Sequence, residues 1–248
     1  MSKTVLITGG SRGIGAAAAI ASARDGWNVV LTYRSDSDAA SSVVSTIEAA
    51  GGTAYALAGD VSDEADVKTV FSFCKEKFGG IDGVVNNAGI LPDVGRFEDF
   101  DLDRWNRTFA INTAGTFLCC REAVRMMPSN GGGKGGSIVN VSSMAAVLGA
   151  AGEFVDYAAS KGAVDALTIG LSKELGPQGI RVNAVRPGLI DTDIHKSAGD
   201  AARVARLSSG VPLGRAGTAE ETAEAIVWLL SDASRYVTGT FIAVSGGR

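Results

Sequence analysis

Tyr157 and Lys161, in the run Tyr157-Ala158-Ala159-Ser160-Lys161, place a phenol and an ammonium four residues apart. On a helix that spacing puts both side chains on one face. A free phenol titrates near ~10, and a neighbouring cation stabilises the phenolate. The tyrosine is thereby brought towards working pH as a general acid for ketone reduction or a general base for alcohol oxidation. A second group of residues could hold a phosphate. Thr8-Gly9-Gly10-Ser11-Arg12-Gly13-Ile14-Gly15 follows a short apolar run and opens a helical pattern. There Gly9 permits a tight turn, Gly13 lets backbone approach a pyrophosphate, and Gly15 lets the helix lie close to a sheet, with the first helical N–H groups aimed at the anion. Each signal alone has a plain structural reading: Tyr-x-x-x-Lys is common on solvated helix faces, and glycines are common between strand and helix.

The elements that must position these residues follow from hydrophobic period. Val5 to Thr8, Val29 to Tyr33, Thr53 to Ala58, Gly83 to Asn86, Ser137 to Val141, Arg181 to Val185 and Phe241 to Val244 are short apolar runs that predict strands. Helical patterns lie between them, from Ile14, over Ala39 to Ala50, after Asp60-Val61 and from Tyr157 to Leu175. In the third of these, Ser62 could cap, Asp63 and Glu64 suit the first turn, and Gly79-Gly80 ends it. Thr218-x-x-Glu221 predicts a capping box. Alternation of this kind predicts an α/β fold, a doubly wound parallel Rossmann sheet of about seven strands with helices on both faces and a ligand crevice beyond the carboxyl ends of the strands. At 248 residues the expectation is a single domain over 1–248.

Composition narrows the function classes. The net charge of -4, with no basic run, offers no footprint for nucleic acid. No apolar stretch approaches the ~20 residues of a membrane span, and Val5-Leu6-Ile7 is too short for a signal-peptide core, so a cytoplasmic protein with no membrane partner is expected. Cys74, Cys119 and Cys120 are odd in number and read as small buried hydrophobes, with no metal site. Asn130 to Gly136, with five glycines around Lys134, precedes a strand and is expected as a flexible loop.

The glycine turn is spaced T-G-x-x-x-G-x-G, and further motifs follow in order: Asn86-Asn87-Ala88-Gly89, Phe109-Ala110-Ile111-Asn112, Val139-Asn140-Val141-Ser142-Ser143, the Tyr157/Lys161 pair, and Arg181 to Gly188 ending in Pro187-Gly188. Together they resemble the short-chain dehydrogenase/reductase family from Thr8 to Gly247, including members like 3-oxoacyl-carrier-protein reductases and glucose dehydrogenases. The resemblance implies hydride transfer between a nicotinamide cofactor and a small carbonyl/alcohol substrate. By the same resemblance Ser143 polarises the carbonyl, Tyr157 delivers the proton, Lys161 binds the nicotinamide ribose and lowers the tyrosine pKa, and Asn112 anchors a water relaying protons towards Lys161.

For the cofactor, the resemblance points to Gly9, Ser11, Arg12, Gly13, Ile14 and Gly15 at the phosphates, and to Asp60 and Val61 beside the adenine. It also points to Asn87, Ala88 and Gly89 near the ribose, to Tyr157 and Lys161 as further cofactor contacts, and to Pro187, Gly188, Ile190 and Thr192 near the carboxamide. NAD enzymes place an acid at the end of the second strand, whereas NADP enzymes omit it and supply a cation. Tyr33 stands at that position, and Arg34 with Arg12 could bind a 2′-phosphate, so NADP(H) is expected over NAD(H). Asp36 and Asp38 fit the start of the next helix instead, and Asp60 could also cap its own following helix.

One departure concerns the serine. The family usually leaves twelve residues between serine and tyrosine, while Ser143 leaves thirteen and Ser142 fourteen. The extra residue falls near Glu153-Phe154 and would reshape the substrate side, where Met144, Glu153, Phe154 and Leu189 are candidate lining residues. A substrate lid is expected around 193–210, with His195, the only histidine, as a solvent-exposed bystander. Most relatives are homotetramers, and Tyr236 to Gly239 with Ser245 to Gly247 match the region they use. The competing function is a non-catalytic nucleotide-binding regulatory or scaffold protein of the same fold, which would have no need of Ser143, Tyr157, Lys161 and Asn112 together.

Overall fold

In the computed structural model, which describes residues 2–127 and 135–248, the apolar runs are strands and the periodic segments helices. In chain order they are β1 (Thr4–Ile7), α1 (Gly13–Arg24), β2 (Asn28–Tyr33), α2 (Ser37–Ala49), β3 (Ala54–Ala58), α3 (Glu64–Phe78), β4 (Gly83–Asn86), α4 (Leu102–Phe109), α5 (Gly115–Met126), β5 (Gly136–Val141), α6 (Ala145–Leu148), α7 (Val155–Leu175), β6 (Ile180–Pro187), α8 (Ile194–Ser197), α9 (Arg203–Leu207), α10 (Ala219–Leu230) and β7 (Phe241–Val244). Of the glycine-rich run expected as a loop, Asn130 to Lys134 lie outside the described residues, and Gly136 begins β5.

All seven strands pair in parallel in the order β3-β2-β1-β4-β5-β6-β7. The period-two alternation of a strand then sends neighbouring residues into opposite layers. Val5 and Ile7 pack with Ala18, Ile47, Ile226 and Leu229 from α1, α2 and α10, while Leu6 packs with Phe71, Cys74, Cys120 and Ala123 from α3 and α5. Helices therefore cover both faces, which is why the strands read as continuous apolar runs.

Helix ends are set by particular side chains. Asp63, not Ser62 or Asp60, caps α3, because its carboxylate accepts the amides of Ala65 and Asp66 at 2.7 and 3.3 Å. Asp60 instead accepts the amide and hydroxyl of Ser62 at 2.9 and 2.6 Å, shaping the turn before the helix. Asp36 caps α2, and Thr218 with Glu221 closes the expected capping box on α10. The chain reverses its winding between β1 and β4, so the turns leaving those two strands face a common crevice.

Candidate active site

The turns after β1 and β4 are stitched together by Thr8 and Asn87. The Thr8 hydroxyl accepts the amides of Asn87 and Ala88 at 3.0 Å each, and the Asn87 side-chain amide donates to the Thr8 and Gly9 carbonyls at 2.9 Å each. Gly15 fits beneath this arrangement. A Cβ on it would lie 2.3 Å from the Gly9 carbonyl oxygen and 2.4 Å from Asn87 Nδ2. Gly9 and Gly13 have φ of 63° and 53°, backbone that glycine adopts without the penalty a Cβ would bring.

A cavity of about 720 Å³ opens above these turns. Of the residues expected to hold a dinucleotide, Gly9, Ser11, Arg12, Gly13, Ile14, Tyr33, Arg34, Asp60, Val61, Asn87, Ala88, Gly89 and Thr192 line it. Gly15 lies beneath and lines neither this cavity nor the next. The donor set suits a pyrophosphate. α1 starts at extended Arg12 with no side-chain cap and no acid in its first turn, leaving amides for an anion. Arg12 and Arg34 make no ion pair among the described residues. Burial works to raise the Asp60 pKa, but the hydrogen bonds from Ser62 and the charge of Arg34 outweigh it and hold the carboxyl below its usual range. Arg104 and Arg107 of α4 also line this cavity, and no motif in the sequence singled them out.

A second cavity, of about 550 Å³, is lined by Ser143, Tyr157, Lys161, Pro187, Gly188, Ile190 and Thr192. Met144, Glu153, Phe154 and Leu189 line it as well. The two cavities share Ile14, Asn87, Gly89, Leu91, Thr192 and Ile194, so they adjoin along the exit of β4.

Four elements converge at this junction. A Cβ on Gly89 would come within 3.2 Å of Asn112 Oδ1 and 3.5 Å of Lys161 Nζ. Asn112 sits in a π-helical turn, Ala110–Ala114, between α4 and α5, the kind of helix irregularity that re-aims a side chain. It is fully buried; its Oδ1 accepts the Ile90 amide at 2.8 Å, and its Nδ2 donates to the Ile90 carbonyl at 3.0 Å and to Ser160 Oγ at 3.1 Å. Lys161 donates to the Val141 carbonyl at 2.7 Å. Burial pushes its pKa down to about 8, against the opposing pull of Asp165 one turn further along α7.

The tyrosine departs from expectation. Burial raises the Tyr157 pKa, and the opposing pull comes from the neighbouring Ser143 hydroxyl, not from Lys161. Lys161 Nζ stands 5.8 Å from the centre of the phenol ring and donates one of its three protons to a backbone carbonyl, and desolvation dominates at the tyrosine. The two serines separate clearly. Ser142 is buried with its hydroxyl towards the Lys161 carbonyl at 3.4 Å, while Ser143 is half-buried beside Tyr157 and its Oγ accepts the Ala145 amide at 3.1 Å.

His195 is not the solvent-exposed residue expected. It is 9% exposed, lines the second cavity, and its Nε2 lies 3.0 Å from the Ile190 carbonyl oxygen. A carbonyl only accepts, so Nε2 carries the proton, and burial lowers the ring's pKa. The ring, carried by the short helix α8, reaches back to Ile190 and is buried, a contact that leaves no periodic trace in four residues. The segment 193–210 contains α8 and α9, and its Ile194, His195 and Arg203 close one side of the second cavity.

The three cysteines are all buried. No helix among the described residues is long and apolar enough to cross a membrane.

Comparison with known proteins gives a consistent picture. The family model described as enoyl-(acyl carrier protein) reductase matches residues 9–248. The chain is 51% identical over 243 residues, 98% of each chain, to the uncharacterized oxidoreductase YgfF of Escherichia coli strain K12. It is 42% identical over 255 residues to 3beta-hydroxysteroid dehydrogenase 1 of Eggerthella lenta, covering 99% of this chain and 93% of that one. Its backbone superposes on a short chain dehydrogenase from Burkholderia cenocepacia J2315, solved in complex with NADP, with a TM-score of 0.90 at 35% identity, covering 99% of this chain and 97% of that one.

Proposed function

Because this chain belongs to the short-chain dehydrogenase/reductase family of oxidoreductases, we propose that it catalyses reversible hydride transfer between NADP(H) and a carbonyl/alcohol pair, with Tyr157 giving and taking the proton. The observation that carries this conclusion is the junction of the two cavities at Gly89, with Asn112 and Lys161 at the junction and Tyr157 and Ser143 in the substrate-side wall. The dinucleotide, when bound, supplies or accepts the hydride at its nicotinamide ring. Gly9, Ser11, Arg12, Gly13 and Ile14 would hold its phosphates with Gly15 letting the helix pack beneath them, Asp60 and Val61 would stand on the adenine side, and Arg12 and Arg34 would take the 2′-phosphate that marks NADP.

Ser143 donates to the substrate oxygen and so polarises the carbonyl. Tyr157 transfers its phenolic proton to that oxygen as negative charge develops there, which is general acid catalysis. Lys161 holds the ribose side of the cofactor and returns a proton to the phenolate, with Asn112 anchoring a water on that route. In alcohol oxidation the same proton moves the other way. The walls contributed by Leu91, Met144, Leu148, Phe154, Leu189 and Ile194 favour a substrate with an apolar body around its reacting carbon. The segment 193–210 serves as the lid over it, and the protein works as a cytoplasmic homotetramer, for which light scattering is the direct check.

The test is a screen of carbonyls and alcohols followed by NADPH absorbance, repeated with Tyr157→Phe. That variant should lose about 10²-fold or more in turnover with NADPH affinity unchanged; retention of full activity would overturn the assignment of the proton donor.

A further inference from the structure

The stretch between Ser143 and Tyr157 has an uncommon backbone. Gly149 and Gly152 have φ of 79° and 73°, and Ala150 between them has φ of 49°, the one non-glycine residue in the left-handed region among the described residues. A Cβ in that conformation is strained, so surrounding contacts must hold the segment there. Two contacts do so through Glu153. Its carbonyl accepts the Gly95 amide at 2.9 Å, and its carboxylate takes Nη1 and Nη2 of Arg203 at 2.7 Å each.

Arg203 reaches this point from α9, fifty residues along the chain, and is only 7% exposed. Its guanidinium also lies over the Phe154 ring, 4.9 Å from the ring centre. Phe154, itself 5% exposed, meets the Tyr157 ring edge-to-face at 5.8 Å and 89°. Leu91, Phe154 and Ala198 form a small apolar cluster, with Ala150, Tyr157 and Ile194 packed against it, separate from the two main layers. A continuous set of contacts therefore runs from α9 through one ion pair and one aromatic ring to the phenol. Arg203 holds the Glu153 carboxyl below its ordinary pKa, so the pair stays ionised at neutral pH.

We propose that the Glu153–Arg203 pair is a positioning device for Tyr157, seating Phe154 against the phenol ring and fixing α9 over the substrate-side cavity as one unit. This rests on the assignment of Tyr157 as proton donor. The planar fork of arginine matters, because it binds both carboxylate oxygens while stacking on the ring, which an ammonium does not do.

Hydrogen exchange on the full chain tests the coupling without any substrate. Glu153→Gln and Arg203→Gln should each speed amide exchange about tenfold or more at both 203–207 and 154–158, and the double variant should add nothing further. In the reduction of ethyl acetoacetate by NADPH, each variant should lower kcat about tenfold while KM stays within about twofold, and Arg203→Lys should recover only part of the loss. Faster exchange confined to 203–207, or gains that multiply in the double variant, overturns the proposal. Tyr157→Phe in the same assay separates the two ideas. Full turnover in Tyr157→Phe defeats the proton-donor assignment, whereas its loss alongside an unchanged kcat in Arg203→Gln defeats the positioning role alone. Should ethyl acetoacetate not be turned over, the exchange result decides by itself.

Discussion

Lys161 shows how burial and chemistry pull against each other in one residue. It is 4% exposed, and its pKa falls from 10.5 to about 8 because desolvation disfavours the ammonium. Between those two values this residue binds more protons in the unfolded chain than in the folded one, so its own contribution to stability should rise with pH from about 8 to 10.5 and carry its full penalty below that window, against the opposite slope that the buried thiols impose above about 9. A shift of this size corresponds to about 3 kcal/mol. Lys161→Met should therefore be more stable than the parent at pH 7 by an amount of that order, and the difference between the two should shrink as pH rises through about 8 to 10.5. A difference that stays constant across that window would show that the buried ammonium does not cause it.

Arg34 gives a second prediction at this scale. Exposed at the end of β2 beside Tyr33, it lines the first cavity with no carboxylate partner among the described residues. Arg34→Ala should weaken NADPH binding about tenfold while changing NADH binding little, since only the former carries the 2′-phosphate. Equal losses for both dinucleotides, measured by fluorescence titration, would remove Arg34 from the specificity role.

Local conformation that depends on neighbours close in sequence was legible before any coordinates: the helix that carries Tyr157 and Lys161, the glycine turn, and the starts of α2 and α10 at Asp36 and Thr218. Residues whose meaning depends on distant partners were not. Arg104 binds Asp156 across 52 residues, and Arg203 binds Glu153 across 50. No local pattern announces such a pair. His195 belongs with them, because its burial follows from where a four-residue helix places it, not from any spacing around it.

Among the elements, α1 is the one whose placement the turn chemistry controls most tightly. Its first turn approaches β4's exit so closely that Gly15 has no room for a methyl group. Gly15→Ala would have to push α1 away from Gly9 and Asn87, a cost of about 1–3 kcal/mol in overpacked sites. Because that shift moves the amides that face the first cavity, NADPH affinity should fall by more than the stability loss alone explains. A thermal melt and an NADPH titration on the same variant check this; wild-type affinity in a folded Gly15→Ala protein would show that the close approach is not needed.

Strand positions and their parallel pairing followed from apolar runs alternating with helical patterns, because each run was already short and bounded by turn residues. The π-helical turn at Ala110–Ala114 did not, since one extra residue in a helix changes no composition and little periodicity. The α3 cap was misplaced by one residue, as Ser62 and Asp63 are both good capping types and only the backbone geometry chooses between them.

For the whole molecule, the parallel sheet acts as a partition. Turns at its carboxyl edge line the two cavities, while the two helical layers hold the apolar core. Asn86 and Asn140 cross-link the middle of that sheet, with Asn86 Nδ2 donating to Asn140 Oδ1 at 2.8 Å and lying 3.2 Å from Cys120 Sγ.

The cysteines turn this partition into a clock. Cys74, Cys119 and Cys120 all lie in the layer covered by α3 and α5, and burial pushes the thiols of Cys74 and Cys120 up to about 12. A thiol that is both shielded and protonated cannot attack an aromatic disulfide reagent until the layer opens. Labelling in native buffer at pH 8 should thus be limited by the opening of that one layer, and saturating NADPH should slow it in proportion to the stability the ligand adds. Labelling as fast as a free thiol would mean that the layer is open far more often than its packing implies. The three sulfurs would otherwise time the breathing of one half of the molecule, with no engineered label.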